Sequence, residues 1–229
     1  MLSAQLSDFS SVKNELYRIL DTLKDSGEEV IDLISGNPTQ FGLNFPKEIL
    51  EKAGVKYFNN FKSYRPDPRG NLNSRKSVVD YYREGGGYLN PESVILTPGS
   101  SESYFYLFKL LGNPGQEFLT PRPSYPLFEF IAKLSDVTLT SYDLDAKGDW
   151  AISLEIIKKA INEKTAGLII ISPHNPTGHV CDEKEVLSVI DICRERKLPL
   201  IIDEVFREFI FSSKRGPRFI NQEAPLIFT

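Results

Sequence analysis

A strand-to-helix turn at residues 99–101 could bind a phosphate group. Gly99 allows a ligand to approach the backbone closely, while Ser100 and Ser101 place two hydroxyl groups at the predicted start of a helix. Free N–H groups and the helix dipole favour an anion at such an N-terminus. Considered alone, a serine that caps the helix is the simpler interpretation. The turn lacks the full GxGxxG of a dinucleotide fold and the Gly-Lys-Ser/Thr of a P-loop.

Three further residues have both a plain and a functional interpretation. Asp203 ends an apolar run, where burial would raise the pKa of its carboxyl unless a cation or good donors face it. It either caps the strand or holds a positively charged ring nitrogen. Asn175 begins an Asn-Pro-Thr-Gly sequence that is typical of a tight turn, and its amide could bind a ligand. Tyr125 is either a simple aromatic residue or a flat surface on which a ring stacks.

The apolar pattern switches repeatedly between helical and strand spacing, which predicts the elements that position these residues. Strands are predicted over residues 93–97, 117–120, 137–142, 167–172, 198–202 and 226–229. Helices are predicted from residue 12 to about 27, over 72–84, 101–111, 124–134 and 153–162, and after Asp182. This alternation favours a three-layer α/β/α fold with a mainly parallel sheet. Ligands of such sheets bind beyond the carboxyl ends of the strands, where these polar groups are expected to meet.

Composition and charge restrict the class of protein. Hydrophobic residues make up 41% and charged residues 25% of the 229 residues, which is typical of a folded globular protein. A net charge of −4 gives no electrostatic signature of nucleic-acid binding. Residues 1–9 show no signal-peptide pattern and no run approaches a membrane-spanning length. A cytoplasmic protein without membrane contact is therefore expected.

The cysteines and histidines do not have the spacing of a metal site. Cys181 and Cys193 are twelve residues apart, which is neither a redox pair nor a metal knuckle. His174 and His179 flank the Asn-Pro turn at a spacing that is not a recognised ligand pattern. No metal is therefore predicted.

A phosphate cup, a stacking aromatic residue, an amide and a buried carboxylate are together what pyridoxal phosphate (PLP) requires. In their order along the chain these groups resemble the class I and II aminotransferases, PLP enzymes of fold type I in the aspartate aminotransferase superfamily. The matching motifs are Gly36-Asn37-Pro38, Tyr64 with Gly70, Gly99-Ser100-Ser101, Asn175-Pro176-Thr177-Gly178 and Asp203-Glu204-Val205. One such motif is weak evidence for the family, whereas all of them in the same order over about residues 30–229 are strong evidence.

The resemblance implies a role for each matching residue near the cofactor. Ser100 and Ser101 would hold the phosphate, and Tyr125 would stack on the ring. Asn175 would bond the ring oxygen, and Asp203 would pair with the pyridinium nitrogen. In this arrangement Asp203 keeps the ring an electron sink.

The resemblance also implies a domain organisation and partners. Residues 1–45 would form an N-terminal helix and arm that belong to the small domain and the dimer contact. Residues 46–229 would form the PLP-binding large domain, which is incomplete. Gly36, together with Asn175, would lie beside the substrate. Tyr64 would reach the cofactor phosphate in the other subunit of a homodimer.

The sequence departs from the family pattern at two places. Phe206 replaces a tyrosine that usually bonds the ring oxygen, which would leave this contact to Asn175 alone. The lysine that forms the Schiff base is expected after Thr229, so this chain holds no catalytic residue and is expected to be inactive alone. A Ser-Ser-Lys sequence at Lys214 has a similar pattern, but it lies only 11 positions after Asp203 and before the strand that should deliver the lysine. We interpret Lys214 as a surface-loop residue.

The expected activity is transfer of an amino group between an amino acid and a 2-oxo acid. A PLP-dependent lyase or decarboxylase stays open, because it would share the cofactor contacts and the substrate-reading residues are mostly missing here. A non-catalytic, truncated homologue that acts as a dimerisation or regulatory partner also stays open. An NAD-binding or hydrolase domain is not favoured, since the glycine motifs and the nucleophile of those classes are lacking.

Overall fold

The computed structural model describes residues 15–31, 37–211 and 218–229. The chain divides into two compact units, Met1–Arg65 and Pro66–Thr229. Within the described residues, no helix is long and apolar enough to cross a membrane.

The described part of the first unit is largely helical. Helix α1 covers Glu15–Asp25, a 3-10 helix covers Pro38–Phe41, and helix α2 covers Lys47–Asn60. The sequence prediction included α1 and missed α2. Apolar residues of α2 such as Ile49 and Ala53 do recur at helical spacing, so periodicity could have found this helix.

A parallel sheet forms the centre of the second unit. Its strands are β1 (Glu117–Arg122), β2 (Thr138–Asp143), β3 (Thr165–Ile171), β4 (Leu200–Asp203) and β5 (Leu226–Phe228). Their order across the sheet is β2-β1-β3-β4-β5, and each neighbouring pair is parallel. The helices of this unit are α3 (Leu72–Glu84), α4 (Ser100–Leu111), α5 (Leu127–Leu134), α6 (Leu154–Ala160) and α7 (Glu183–Arg196).

Alternating side chains of β3 divide the core into two apolar clusters. Leu168 and Ile170 pack with residues of α6 and α7, whereas Ile169 and Ile171 pack with residues of α4 and α5. Successive side chains of a strand point to opposite faces of the sheet. The sheet therefore lies between two helical layers, which confirms the predicted three-layer α/β/α fold.

The predicted strand over residues 93–97 is wrong. A 3-10 turn covers Pro91–Ser93, and residues 94–97 belong to no strand of the described sheet. Ile95 is 65% exposed, and the Leu96 N–H donates to the carbonyl of Arg69. An apolar, β-branched run favours an extended backbone, but a strand also needs a neighbour with which it exchanges hydrogen bonds. The sequence pattern indicates the extended backbone but not whether a neighbouring strand is present.

Candidate active site

A pocket opens at the carboxyl ends of β3 and β4, beside the N-terminus of α4. Its empty volume, including space open to solvent, is ≈ 580 Å³, a size suited to a small ligand. Its walls contain six residues that the sequence predicts for the site: Ser100, Ser101, Tyr125, Asn175, Asp203 and Phe206. The parallel strands therefore bring together residues that lie far apart along the chain.

Asp203 is the most buried of these residues. It ends β4 opposite Ile171 of β3 and is 5% exposed. The Val205 N–H donates to its Oδ1 at 3.0 Å, and the Tyr104 hydroxyl donates to its Oδ2 at 2.9 Å. Among the described residues, no cation pairs with it. Burial raises the pKa of the Asp203 carboxyl, and the two hydrogen bonds oppose this rise.

The N-terminus of α4 contributes Ser100 and Ser101 to the pocket. Gly99 precedes the helix in an extended conformation, and no side chain caps the helix, so the simple interpretation of a serine cap is wrong. The first N–H groups of a helix have no acceptor within it. The hydroxyls of both serines also lack a partner among the residues that the structure describes. This turn therefore offers several donors to an anion.

Two aromatic rings form part of the pocket wall. Tyr125 packs edge-to-face on Phe128, with ring centroids 5.7 Å apart and planes at 89°. Phe206 packs edge-to-face on Phe209, with centroids 6.1 Å apart. Tyr125 is 39% exposed and Phe206 is 38% exposed. Both rings are therefore fixed by a neighbour and accessible to a ligand.

Asn175 lies on a loop that follows β3 and is closed by hydrogen bonds within itself. The His174 N–H donates to the His179 carbonyl at 2.7 Å, and the Gly178 N–H donates to the His174 carbonyl at 2.7 Å. The His174 Nδ1 lies 2.8 Å from the Thr177 hydroxyl oxygen. The turn predicted from Asn-Pro-Thr-Gly is therefore present, and it holds Asn175 at the pocket.

An ion pair attaches this loop to helix α7. The Nε2 of His179 lies 3.1 Å from Oε1 of Glu185, and Glu185 also forms the predicted capping box with Asp182. The Cys181 sulfur and the Glu185 carboxylate raise the pKa of His179 to about 10. Burial, together with the charge of His179, lowers the pKa of His174 to about 4. His179 is therefore the charged histidine and His174 the neutral one at neutral pH.

His179, Cys181 and Glu185 each bring one potential metal-ligating atom to within 4.8 Å of the others. The group was not predicted from the sequence, because its three members are of different residue types and neither the histidine spacing nor the cysteine spacing indicates it. Both Glu185 oxygens already accept backbone N–H groups, from Ile152 and from Asp182. The helix cap and the ion pair therefore account for the positions of these side chains.

Of the other residues predicted for the site, Gly99 immediately precedes α4 and is not among the residues that line the pocket. Tyr64 belongs to the first compact unit and is 82% exposed, so its proposed contact with a second subunit stays a prediction. Gly36 and Lys214 lie outside the described residues.

Tyr104 also lines the pocket, although it was not predicted from the sequence. It lies three residues after Ser101 and four after Ser100 on α4, so all three share one face of the helix. This spacing is a signal that could have identified Tyr104. Its bond to Asp203, a residue 99 positions away, has no local signal.

A family model described as aminotransferase class I and II matches residues 28–228 of the chain. Tyrosine aminotransferase of Mus musculus is 31% identical over 205 residues, which are 87% of this chain and 45% of that protein. The glutamate-pyruvate aminotransferase AlaA of Escherichia coli is 30% identical over 190 residues, which are 82% of this chain and 46% of that protein. The chain thus spans about half the length of these curated relatives.

Solved structures share the fold. An alanine aminotransferase from Pyrococcus furiosus superimposes with a TM-score of 0.85 and 26% identity, covering 100% of this chain and 58% of that chain. An aspartate aminotransferase from Thermotoga maritima gives a TM-score of 0.82 at 23% identity, covering 99% of this chain and 60% of that chain. The whole of the present chain therefore has a counterpart in larger proteins of known structure.

Proposed function

The chain belongs to the class I and II aminotransferases, and from this premise we propose that its pocket binds PLP for the transfer of an amino group between an amino acid and a 2-oxo acid. One observation carries the proposal. Asp203 is a buried carboxylate without a cationic partner among the described residues, and it lines one pocket with Ser100 and Ser101 at a helix N-terminus. PLP presents a cation at its ring nitrogen and an anion at its phosphate.

The donor set fits the cofactor at both of its charged ends. The unpaired N–H groups and the Ser100 and Ser101 hydroxyls suit a phosphate. Asp203 suits a protonated ring nitrogen, because a buried carboxylate is costly until a cation faces it. Tyr125 supplies a face for the ring, and Asn175 supplies an amide for the ring oxygen. When bound, PLP supplies an electron sink for chemistry at the substrate amine.

We further propose that this chain binds PLP without a covalent bond and does not transaminate alone. The lysine that would bond to the cofactor is expected beyond Thr229, and Lys214 is proposed not to replace it. Phe206 carries no hydroxyl, so the contact with the ring oxygen would depend on Asn175.

The proposal also covers assembly and domains. Residues 1–45 would serve as the arm and residues 46–229 as the incomplete large domain. Tyr64 would reach the phosphate site of a second subunit, so the protein should be a homodimer, which sedimentation at working concentration tests. A cytoplasmic location stays a prediction from the sequence.

Titration of the purified chain with PLP, followed by cofactor absorbance, tests the pocket. Wild-type protein should bind PLP, and Asp203→Asn should bind it much more weakly. The matched control is Asp191→Asn, which removes a 63% exposed carboxylate from α7 and should bind as wild type does. Equal affinities of wild type and Asp203→Asn would refute the proposed site.

Borohydride reduction and mass spectrometry test the covalent chemistry. The chain with PLP should yield no stoichiometric pyridoxyl-lysine adduct, and it should not convert the cofactor when amino acids are added. Lys214→Ala is the control. An adduct that this substitution abolishes would show that Lys214 is the cofactor lysine. A full-length protein that carries a lysine after Thr229 should be labelled there instead.

A further inference from the structure

We propose that Tyr104 is a positioning residue for Asp203: its hydroxyl orients the carboxylate toward the cofactor ring nitrogen and holds it as an anion. This inference rests on the proposed function, because it concerns the same pocket. It assigns a role to a residue that the family motifs do not include.

Close packing holds the ring of Tyr104 in place and so fixes the position of its hydroxyl oxygen. The side chain is 1% exposed, and its ring centroid lies 4.5 Å from that of Phe128 and 5.8 Å from that of Phe108. The hydroxyl donates to Oδ2 of Asp203, while the Val205 N–H donates to Oδ1. One donor on each oxygen fixes the plane of the carboxylate, and its remaining lone pairs are left for a ligand.

Tyr104 supplies this bond without cancelling the charge of Asp203. Burial and the neighbouring carboxylate raise the pKa of Tyr104 well above its usual value, so the hydroxyl stays protonated and acts as the donor. A lysine or arginine at this position would pair with Asp203 inside the protein and compete with the ring nitrogen. A neutral donor stabilises the anion and leaves it available to a cationic ligand.

The position of Tyr104 on α4 also links the two ends of the pocket. Ser100 and Tyr104 are four residues apart on one helix, a rise of about 6 Å. The first two turns of α4 therefore position both the serine hydroxyls and the tyrosine that orients the Asp203 carboxylate. A rigid helix is a precise support for groups that must contact opposite ends of one ligand.

The test compares PLP with its deaza analogue, in which a C–H group replaces the ring nitrogen. Tyr104→Phe retains the ring packing and removes only the hydroxyl. It should weaken PLP binding by about 10-fold to 100-fold, because a hydrogen bond to a charged group is lost. It should leave affinity for the deaza analogue unchanged. Tyr142→Phe is the matched control, since Tyr142 is also 1% exposed and its hydroxyl donates to the Ile169 carbonyl away from Asp203.

The pH profile gives a second readout that a purely structural role would not change. The hydrogen bond from Tyr104 lowers the pKa of Asp203, so its removal should make the carboxyl easier to protonate. As the pH is raised from acid values, Tyr104→Phe should therefore reach its full affinity for PLP at a higher pH than wild type does. An unshifted profile would contradict the inference.

If Tyr104→Phe binds PLP and the deaza analogue more weakly by the same factor, Tyr104 only supports the fold. If its affinity for both ligands is unchanged, Tyr104 has no role in binding. If wild type and Asp203→Asn behave as expected and Tyr104→Phe does not, only this inference fails. If wild type binds PLP and the deaza analogue equally, or if Asp203→Asn changes nothing, the proposed function fails with it.

Should Tyr104→Phe not fold, wild-type protein with carbon-13-labelled tyrosine replaces it. The Tyr104 resonance should shift on addition of PLP and stay in place with the deaza analogue. The same response to both ligands would overturn the inference.

Discussion

Asp203 and Glu204 are adjacent buried carboxylates at the end of β4, and their surroundings are opposite. Asp203 receives two neutral donors and no described cation. The Glu204 side chain is 7% exposed, with Arg218 Nη1 at 2.6 Å and Arg207 Nη1 at 3.3 Å. The Tyr82 hydroxyl also donates to Glu204 at 3.1 Å. The charge of Glu204 is thus neutralised within the chain, and that of Asp203 is not.

This difference separates a structural carboxylate from a binding one. A charge that has its partners inside the protein holds elements together, and Glu204 connects the end of β4 to α3 through Tyr82. A charge that burial leaves unpaired is costly to the fold and gains its partner from a ligand. Two neighbouring residues of the same chemical type therefore have different predicted responses to substitution.

The largest effect is expected at Glu204. Glu204→Gln keeps the shape of the side chain and removes the negative charge that faces the buried guanidinium group of Arg218. The free energy of unfolding should fall by about 3–5 kcal/mol, measured by urea denaturation. Glu195→Gln, an exposed position on α7, should change it little. A loss at Glu204 as small as at Glu195 would remove the distinction between the two carboxylates.

The next effect concerns ligand binding at Asp203. Asp203→Asn should weaken PLP binding by roughly 2–3 kcal/mol, because the ring nitrogen loses its buried counter-charge. Titration calorimetry under conditions where each variant is folded measures this difference. Glu204→Gln should retain the wild-type affinity. If the two substitutions weaken PLP binding equally, the contrast between paired and unpaired carboxylates fails.

Glu185 extends the comparison, because its partner is inside the chain but can lose its proton. The pKa of His179 is raised to about 10, so the pair contributes full stability below the ordinary histidine pKa. This contribution should be lost as the pH rises from neutral through about 10. Wild type should exceed His179→Gln by roughly 1–2 kcal/mol in unfolding free energy at pH 6. A difference that persists undiminished at pH above 10 would contradict the ion pair.

The smallest effect is the stability change at Asp203. Burial raises the pKa of Asp203 above 3.8, so the native state binds its proton more tightly than the unfolded chain does. Its ionisation therefore destabilises the fold as the pH rises through the native pKa. Asp203→Asn should therefore be more stable than wild type at pH 7, because the amide carries no charge that must be buried. This advantage should disappear as the pH falls below about 4, which urea denaturation at several pH values can measure.

Much of the fold could be predicted from local pattern. The sequence predicts the buried strand β3, the capping box at Asp182 and the alternation of strands and helices. The strand predicted over 93–97 was wrong, since pairing depends on a neighbour that the segment itself does not specify. Helix α2 was missed although its periodicity was present.

The sequence by itself determined which residue types follow the strands, and so it determined the chemistry available to the pocket. Only the tertiary structure decided that Tyr104 bonds Asp203 and that Arg218 pairs with Glu204. Strand alternation sends adjacent side chains to opposite faces of the sheet, as the period of two requires. Whether a carboxylate at the end of β4 meets a cation depends on segments that are distant in sequence, because the fold brings their charges close in space. Asp203 and Glu204 therefore have similar local sequence and opposite surroundings.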